Sequence, residues 1–281
     1  MSTAPAGRRQ LTVTANERLG AYTVLRAADP DAPAPAPGQF AMLAAVERWG
    51  GGEDERPYLP RAFSVARFAA GEAHYLLEDV GPGTRRLCEL RPGERMWALG
   101  PLGRGFALGA REPGRRPLLV GGGVGIAPLV ILRDALTGSR QGGGGDRGGG
   151  PPVTVLLGFR DAARAEGAAL LPGALIATDD GSVGHHGHVT ELLAAELERD
   201  RRAAVCACGP APMLEAVRAL CQRARVPAQL ALEAGMACGF GACYGCVVPT
   251  RGGGYLRVCV DGPVVDAELL DRVDEHAGAP A

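Results

Sequence analysis

Short apolar segments alternate with polar positions over the first 113 residues, and glycine or proline separates most of them. Alternation with a period of two is typical of strands that have one buried face. This spacing of strands and turns predicts an antiparallel sheet, closed into a small barrel. The segments run over residues 11–14, 21–25, 40–46, 63–65, 74–77 and 96–99.

The pattern changes after Arg115. An apolar run at 117–120 ends in glycines, and residues 127–136 then follow a helical period. Strands and helices that alternate in this way predict a parallel α/β sheet. The further strands are predicted at 153–157, 175–178 and 203–206, and the further helices at 192–197 and 211–223.

A cysteine-rich tail begins near Leu230 and is too short to form a hydrophobic core of its own, so a bound metal is expected to stabilise it. The sequence therefore predicts three domains, at residues 1–113, 114–228 and 229–281. The Gly-rich stretch Gln141–Gly150 is predicted to be a flexible loop without chemistry.

Composition excludes several classes of function. The net charge is −1, so no nucleic-acid partner is expected. All 30 basic residues are arginines, which excludes Schiff-base lysine chemistry and a Walker-type phosphate lysine. No apolar leader and no uncharged run long enough to span a bilayer is visible, so we expect a cytoplasmic chain away from membranes. Eight cysteines in such a chain indicate metal or redox ligands.

Four of these cysteines have the spacing C-x4-C-x2-C-x12-C: Cys238, Cys243, Cys246 and Cys259. The first three match the ligand run of plant-type [2Fe–2S] proteins, in which one tight loop wraps the cluster and a distant residue completes it. The alternative is a structural zinc, although zinc ribbons usually pair two short cysteine knuckles.

A second candidate site is the glycine loop VGGGVGIAPL at 120–129, which includes Gly121, Gly123 and Gly125 and precedes a predicted helix. Such a helix N-terminus can bind a pyrophosphate. The loop is not the dinucleotide fingerprint, because Ile126 occupies the third glycine position, and a plain tight turn remains the alternative. Cys208, in Cys-Gly-Pro, follows a strand and is positioned to line a pocket.

A third candidate combines Arg61-Ala62-Phe63-Ser64 with the Gly83-Thr84 pair. An arginine fork together with a helix N-terminus that carries a threonine hydroxyl would bind a pyrophosphate, and Phe63 and Ser64 would then meet a ring system. The alternative is a solvated surface arginine beside a strand.

The order of these motifs resembles the ferredoxin–NAD(P) reductase family: R-x-F-S, G-T, G-G-G-x-G-x-A-P, then C-G-P-x-x-M. With the C-terminal cysteines added, the chain resembles, over nearly its whole length, the electron-transfer subunits of bacterial NAD-dependent dihydroorotate dehydrogenases. One departure is Ala62, where that family usually has proline.

The resemblance implies an FAD-binding barrel at 1–113, an NAD-binding α/β domain at 114–228 and a [2Fe–2S] tail at 229–281. It implies that NAD is a co-substrate, for which the glycine loop and Cys208 are the candidate contacts. The contacts that it implies for FAD are Arg61, Ala62, Phe63, Ser64, Leu76, Leu77, Glu78, Gly83 and Thr84.

The function implied is electron transfer in pyrimidine (UMP) biosynthesis. A separate FMN-containing catalytic subunit would oxidise dihydroorotate, and this chain would pass the electrons through [2Fe–2S] and FAD to NAD+, in a heterotetramer with two copies of each subunit. No catalytic side-chain acid or base is predicted. Two alternatives remain open: a related subunit of a sulfide dehydrogenase or an NADH-dependent ferredoxin:NADP reductase, and a zinc-stabilised nucleotide-binding regulator.

Three other features are predicted to lack chemistry. His185, His186 and His188 are interpreted as a solvated loop rather than a metal site. The Asp179-Asp180 pair is interpreted as a turn at a strand end, and Glu233 as a surface carboxylate.

Overall fold

Six antiparallel strands form a closed barrel in the computed structural model, which describes residues 7–50, 57–107, 114–138 and 152–273. The order of strands around the barrel is β1-β2-β5-β4-β3-β6. The barrel predicted from the alternating pattern is therefore confirmed. Its elements are β1 (Arg8–Leu19), β2 (Tyr22–Ala28), β3 (Phe40–Ala45), β4 (Arg61–Ala69), β5 (Glu72–Glu78), α1 (Pro82–Cys88) and β6 (Arg95–Leu102).

Seven strands form the second sheet, in the order β10-β9-β8-β7-β11-β12-β15. All neighbouring strands are parallel except for the last pair. The predicted α/β sheet is confirmed. Its elements as far as β12 are β7 (Arg116–Gly122), α2 (Ala127–Thr137), β8 (Thr154–Phe159), α3 (Ala162–Ala165), β9 (Leu175–Thr178), β10 (His185–His186), α4 (Val189–Arg199), β11 (Ala203–Cys208), α5 (Ala211–Ala224) and β12 (Ala228–Ala231).

The cysteine-rich tail packs on both the sheet and the barrel. Its final strand, β15, pairs antiparallel with β12, so the tail leaves the sheet and returns to it. Its apolar side chains join the same core cluster as Phe40 and Met42 on the outer face of the barrel. The tail contains β13 (Val247–Pro249), β14 (Tyr255–Arg257), α6 (Val258–Asp261) and β15 (Val264–Asp266).

The interpretation of the histidine segment as a loop is wrong for two of its residues. His185 and His186 form β10, a short strand at the edge of the sheet, parallel to β9. A carboxylate also approaches them, because Glu191 at the start of α4 lies 2.8 Å from His185 Nε2. Pairing with β9 explains the difference, since tertiary contacts can extend a segment that its local sequence would leave as a turn. Among the described residues, no three or more His, Cys, Asp or Glu side chains converge on one point where they could hold a single metal ion.

Barrel and sheet are joined by ion pairs and by a close backbone approach. Arg67 of β4 donates a hydrogen bond to Asp134 of α2 at 3.0 Å, and both side chains are mostly buried. Gly20, in the turn between β1 and β2, has a positive φ of 57° and lies against the backbone carbonyl of Ala163. The next residue, Ala21, donates its N–H to that carbonyl at 3.0 Å. These contacts fix how the barrel sits on the sheet.

No helix in the described part of the chain combines the length and the apolar character needed to cross a bilayer. The stretch Gln141–Gly150, predicted to be a flexible loop, lies outside the described residues.

We expect Gly20→Ala to destabilise the protein much more than Gly173→Ala. Both glycines have a positive φ, which costs an L-residue about 1–2 kcal/mol. Only at Gly20 would the new Cβ collide with backbone, which adds roughly 1–3 kcal/mol of overpacking. Urea unfolding of both variants measures the difference, and equal losses would show that this contact is not rigid.

Candidate functional site

The two motifs predicted to bind a pyrophosphate meet in the structure. The side chain of Arg61, at the start of β4, covers Gly83 in the first turn of α1. A Cβ built on Gly83 would lie 2.7 Å from Arg61 Nε, so a side chain at this position would displace the guanidinium. Arg61 Nη1 also donates a hydrogen bond to the carbonyl of Leu59 at 2.8 Å. The guanidinium is therefore held beside the start of α1, where backbone N–H groups point outward.

The hydroxyl of Thr84 is used within its own turn. It accepts hydrogen bonds from the N–H groups of Val80 and Gly81 at 2.9 and 3.0 Å, and it donates to the Gly81 carbonyl. Thr84 thus shapes the turn that presents Gly83. Its predicted contact with a diphosphate stays a prediction.

Residues 61–64 divide between the two faces of β4. Met42 pairs with Ala62 and Phe40 pairs with Ser64 in the β3–β4 register, so these four side chains share the outer face of the barrel. Phe63 points the other way and packs partly against the barrel interior. Ala62 and Ser64 therefore lie on the surface that continues toward the tail.

Of the three predicted residues on β5, Leu77 is fully buried within the barrel core, and Leu76 is buried where the barrel meets the sheet. Glu78 forms an ion pair with Arg164 of α3 at 2.8 Å. Arg164 also binds Asp161, the residue that caps α3. Sequence reasoning missed Arg164 and Asp161, because an arginine in a short helix gives no sign of a partner 86 positions away.

The glycine loop and the Cys-Gly-Pro segment lie side by side at the carboxyl edge of the sheet. Cys208 is the register partner of Gly121 in the β7–β11 pair. A Cβ on Gly125 would lie 2.7 Å from the backbone of Gly209, so the two loops are in direct contact. Gly123 has a φ of 55°, and no atom lies within 4 Å of the position that its Cβ would occupy. This part of the loop therefore faces open space. Open α/β sheets bind ligands at this edge.

Cys208 and Glu233 approach each other at the same edge. Burial, and secondarily the charge of Glu233, raises the pKa of the Cys208 thiol well above its ordinary value, so the thiol is protonated at neutral pH. Burial of its carboxyl group raises the pKa of Glu233 as well, although the residue as a whole is exposed to solvent. The interpretation of Glu233 as an exposed carboxylate therefore holds, but its position beside Cys208 was missed.

The four cysteines of the tail are grouped two by two. Cys246 and Cys259 are buried, and their sulfurs are 3.2 Å apart. Cys238 and Cys243, which are more exposed, interact through their side chains. A [2Fe–2S] cluster takes two thiolates on each iron, whereas a zinc ion takes four ligands around one point. The pairwise grouping fits the two-iron cluster.

Cys238 and Cys259 differ in acidity. Burial raises the pKa of Cys238, but hydrogen bonds from the backbone of Phe240, Cys243 and Ala242 and from the Cys243 side chain lower it, to about 6. Burial and the neighbouring Cys246 raise the pKa of Cys259 to about 12. The loop around Cys238 thus presents N–H groups to negative charge on sulfur, and such second-shell donors tune a metal site.

The cysteine loop rests on the barrel. Gly239 has a φ of 79°, and its α-carbon approaches Met42 so closely that a Cβ would lie 2.5 Å from Met42 Cγ. Arg257, which directly precedes α6, donates a hydrogen bond to the carbonyl of Gly241 at 3.4 Å and lies over the ring of Tyr244. Met42 and Arg257 were missed, since nothing in a lone methionine or arginine signals such a contact.

Comparison with known proteins gives a consistent picture. Residues 233–271 match the model of the iron–sulfur cluster binding domain of dihydroorotate dehydrogenase B, and this range contains all four cysteines. The chain is 37% identical, over 93% of its length and 97% of the relative, to a protein of Geobacillus thermodenitrificans named dihydroorotate dehydrogenase B (NAD(+)), electron transfer subunit. A Bacillus velezensis protein of the same name is 37% identical over 83% of this chain and 86% of the relative.

A solved structure extends the similarity to the whole fold. The structure of an NADH-dependent reduced ferredoxin-NADP oxidoreductase, described in connection with flavin-based electron bifurcation, superposes with a TM-score of 0.74 at 26% identity. The match covers 96% of this chain and 91% of that one.

In protein freed of iron, we expect iodoacetamide at pH 7 to modify Cys238 at least about tenfold faster than Cys208 or Cys221, because thiolates rather than thiols react. With a pKa of about 6, Cys238 is mainly thiolate at pH 7, and its reaction should slow as the pH falls through 6. Cys208 and Cys221 are buried and have raised pKa values. Peptide mass spectrometry measures the rates, and equal modification of all three would contradict the geometry of the loop.

Proposed function

Because the chain belongs to the family of dihydroorotate dehydrogenase B electron transfer subunits, we propose that it passes electrons from the FMN of a catalytic partner subunit, through a [2Fe–2S] cluster and FAD, to NAD+. The oxidation of dihydroorotate would take place on the partner. We propose that this electron transfer serves pyrimidine biosynthesis in the cytoplasm, in an assembly with two copies of each subunit.

One observation carries the proposal above all others. Gly239, the residue after Cys238, touches Met42, and Met42 is the register partner of Ala62 in the motif proposed for the flavin. Paired strands lie about 4.8 Å apart. The cysteine loop and residues 61–64 are thus separated by a single strand of the barrel, a short path for electrons.

The proposed cluster ligands are Cys238, Cys243, Cys246 and Cys259. Donors from the backbone around Cys238 and the cation of Arg257 near Gly241 would stabilise negative charge at this site. Cys243 is exposed, which places one edge of the site at the surface, where a partner can approach.

For the flavin we propose that Arg61 and the backbone at Gly83 hold the diphosphate, as a charge-assisted pair with its anionic oxygens. Ala62 and Ser64, on the outer face of β4, would position the ring system, with Leu76 and Glu78 on β5. Phe63 and Leu77, whose side chains face the barrel interior, would contribute through their backbone. The ion pair of Glu78 with Arg164 ties this strand to the α/β domain, so it would keep the two cofactor sites in register.

For NAD we propose the carboxyl edge of the sheet, with Gly121, Gly123, Gly125 and Cys208. The neutral Cys208 thiol adds no charge of its own next to a nicotinamide. When bound, FAD and the cluster supply the conversion between single-electron and hydride transfer. The chain itself supplies binding and orientation, and no side-chain acid or base takes part in the proposal.

A second candidate is the subunit of an NADH-dependent ferredoxin:NADP reductase. It is favoured by the structural match that covers 96% of the chain at 26% identity. Identity to the dihydroorotate dehydrogenase B relatives is higher, at 37% over 93% of the chain, so we place it second.

The test is reconstitution of the chain with an FMN-containing dihydroorotate dehydrogenase catalytic subunit. We expect NAD+ reduction that depends on dihydroorotate and on both subunits. Cys246→Ser should abolish this activity and the iron content while FAD stays bound, because Arg61 and Gly83, proposed to hold the diphosphate, are not cluster ligands. The matched control is Cys88→Ser, at the end of α1, which should keep iron and activity. Activity with reduced ferredoxin and NADP+, and none with dihydroorotate, would favour the second candidate.

We also expect Gly83→Ala to weaken FAD binding about tenfold, since its Cβ displaces Arg61 and costs a hydrogen bond to a charged group. Gly81→Ala is the matched control, because no atom lies within 4 Å of its Cβ position and its backbone is extended. Flavin fluorescence titration of FAD-free protein measures both affinities. An unchanged affinity of the Gly83 variant would exclude Arg61 from the diphosphate contact.

A further inference from the structure

The thioether of one methionine lies against two backbone segments at the carboxyl edge of the sheet. Met213 ends the segment Cys-Gly-Pro-Ala-Pro-Met and is the third residue of α5. A Cβ built on Gly122, the last residue of β7, would lie 2.5 Å from Met213 Sδ. A Cβ built on Gly209 would lie 2.6 Å from Met213 Cε and 3.0 Å from Sδ. The end of β7, the Cys-Gly-Pro turn and the first turn of α5 therefore meet at this side chain.

These two glycines leave room for the methionine rather than allow an unusual backbone. Gly122 has a φ of −130° and a ψ of 127°, an extended conformation that any residue adopts. The φ of Gly209 is not positive either. At both positions the atom nearest to an added Cβ belongs to Met213. Contact with the thioether therefore gives a physical reason for glycine at both positions.

The glycine loop has a packed side and an open side. Gly122 lies against Met213, and a Cβ on Gly125 would lie 2.7 Å from the backbone of Gly209. Gly123, between them, has no atom within 4 Å of its Cβ position. The loop is thus supported by α5 and by the Cys-Gly-Pro turn, while its other side faces open space, where a nucleotide can approach.

Met213 is itself held by the protein core. Its side chain is half-buried and packs against the apolar cluster that contains Leu214 and Val217 of the same helix. Methionine is unbranched and has a flexible, polarizable thioether, so it fills irregular gaps between segments. Through this residue the core supports two loops that have no side chain of their own at the contact.

We propose that Met213 is a positioning residue for NAD, which keeps the glycine loop and the Cys-Gly-Pro turn at a fixed distance from each other. The inference rests on the NAD site proposed above and adds a residue that acts on it without touching the nucleotide. A loop that is ordered before binding spares the complex the entropic cost of ordering it. Removal of the thioether should therefore weaken binding of the nucleotide more than it changes the reaction of the bound nucleotide.

The test is the Met213→Ala variant, loaded with FAD and iron. In calorimetric titration we expect it to bind NAD+ about tenfold more weakly than the wild-type chain, because the two loops must be ordered on binding. In the reduction of ferricyanide by NADH, KM should rise by a similar factor while kcat stays unchanged, which is the pattern for a loss of uniform binding. An unchanged Kd and KM would overturn the proposal, and so would a fall in kcat with KM unchanged.

Two further variants separate positioning from a loss of stability. Met213→Leu conserves side-chain volume, so it should keep the wild-type affinity to within about twofold. Leu220→Ala, further along α5, removes a partly buried side chain that packs against the same core cluster. It should lower the midpoint of thermal unfolding and leave the affinity for NAD+ unchanged. A loss of affinity in this control equal to that in Met213→Ala would overturn the proposal.

Hydrogen exchange gives a readout that needs no nucleotide. In the NAD-free chain, Met213→Ala should speed amide exchange at residues 121–126 and 208–209, while exchange in β9 stays as in the wild type. Unchanged exchange in both loops would overturn the proposal. Failure of the proposed function would look different: the wild-type chain itself would not bind NAD+, which would overturn the NAD site and this inference together.

Discussion

The contact between Gly239 and Met42 is the constraint on which the arrangement of the molecule depends. It requires a positive φ and the absence of a Cβ at residue 239, and it brings the cysteine loop onto the outer face of β3. Because β3 pairs with β4 in a fixed register, the same contact determines how far the cysteines lie from residues 61–64. A one-residue slip in that register would turn Ala62 and Ser64 to the opposite face.

Glycine allows a close approach at two further contacts between functional segments. A side chain at position 125 would collide with the backbone of Gly209, and one at position 83 would displace the side chain of Arg61. Close packing of this kind has little tolerance for added volume, which makes the relative placement of the segments rigid. Ion pairs also connect the barrel to the helices of the α/β sheet: Arg67 with Asp134, and Glu78 with Arg164.

The barrel, the parallel sheet and the four-cysteine motif could be predicted from the local pattern of residues along the chain. Period-two alternation identified the barrel strands, and the switch to alternating strands and helices identified the parallel sheet. The cysteine spacing predicted three thiolates from one tight loop and a fourth from a distant position, and the sulfur of the distant Cys259 does lie 3.2 Å from that of Cys246. The grouping of the cysteines into two pairs was not predicted. Contacts made by single side chains across long sequence separations could not be predicted, as with Met42, Arg164 and Arg257. The strand at His185–His186 was missed for the same reason, since pairing with β9 rather than its own sequence makes it a strand.

The return of β15 to the edge of β12 bears on the order of assembly. The cysteine segment leaves the sheet after β12 and comes back beside the strand it left, so its two ends are already joined by backbone hydrogen bonds. The entropy of closing that loop is lost when β15 pairs with β12, a step that uses backbone hydrogen bonds and no iron ligand. Iron would then enter a loop that is already closed, which separates maturation of the cofactor from formation of the sheet.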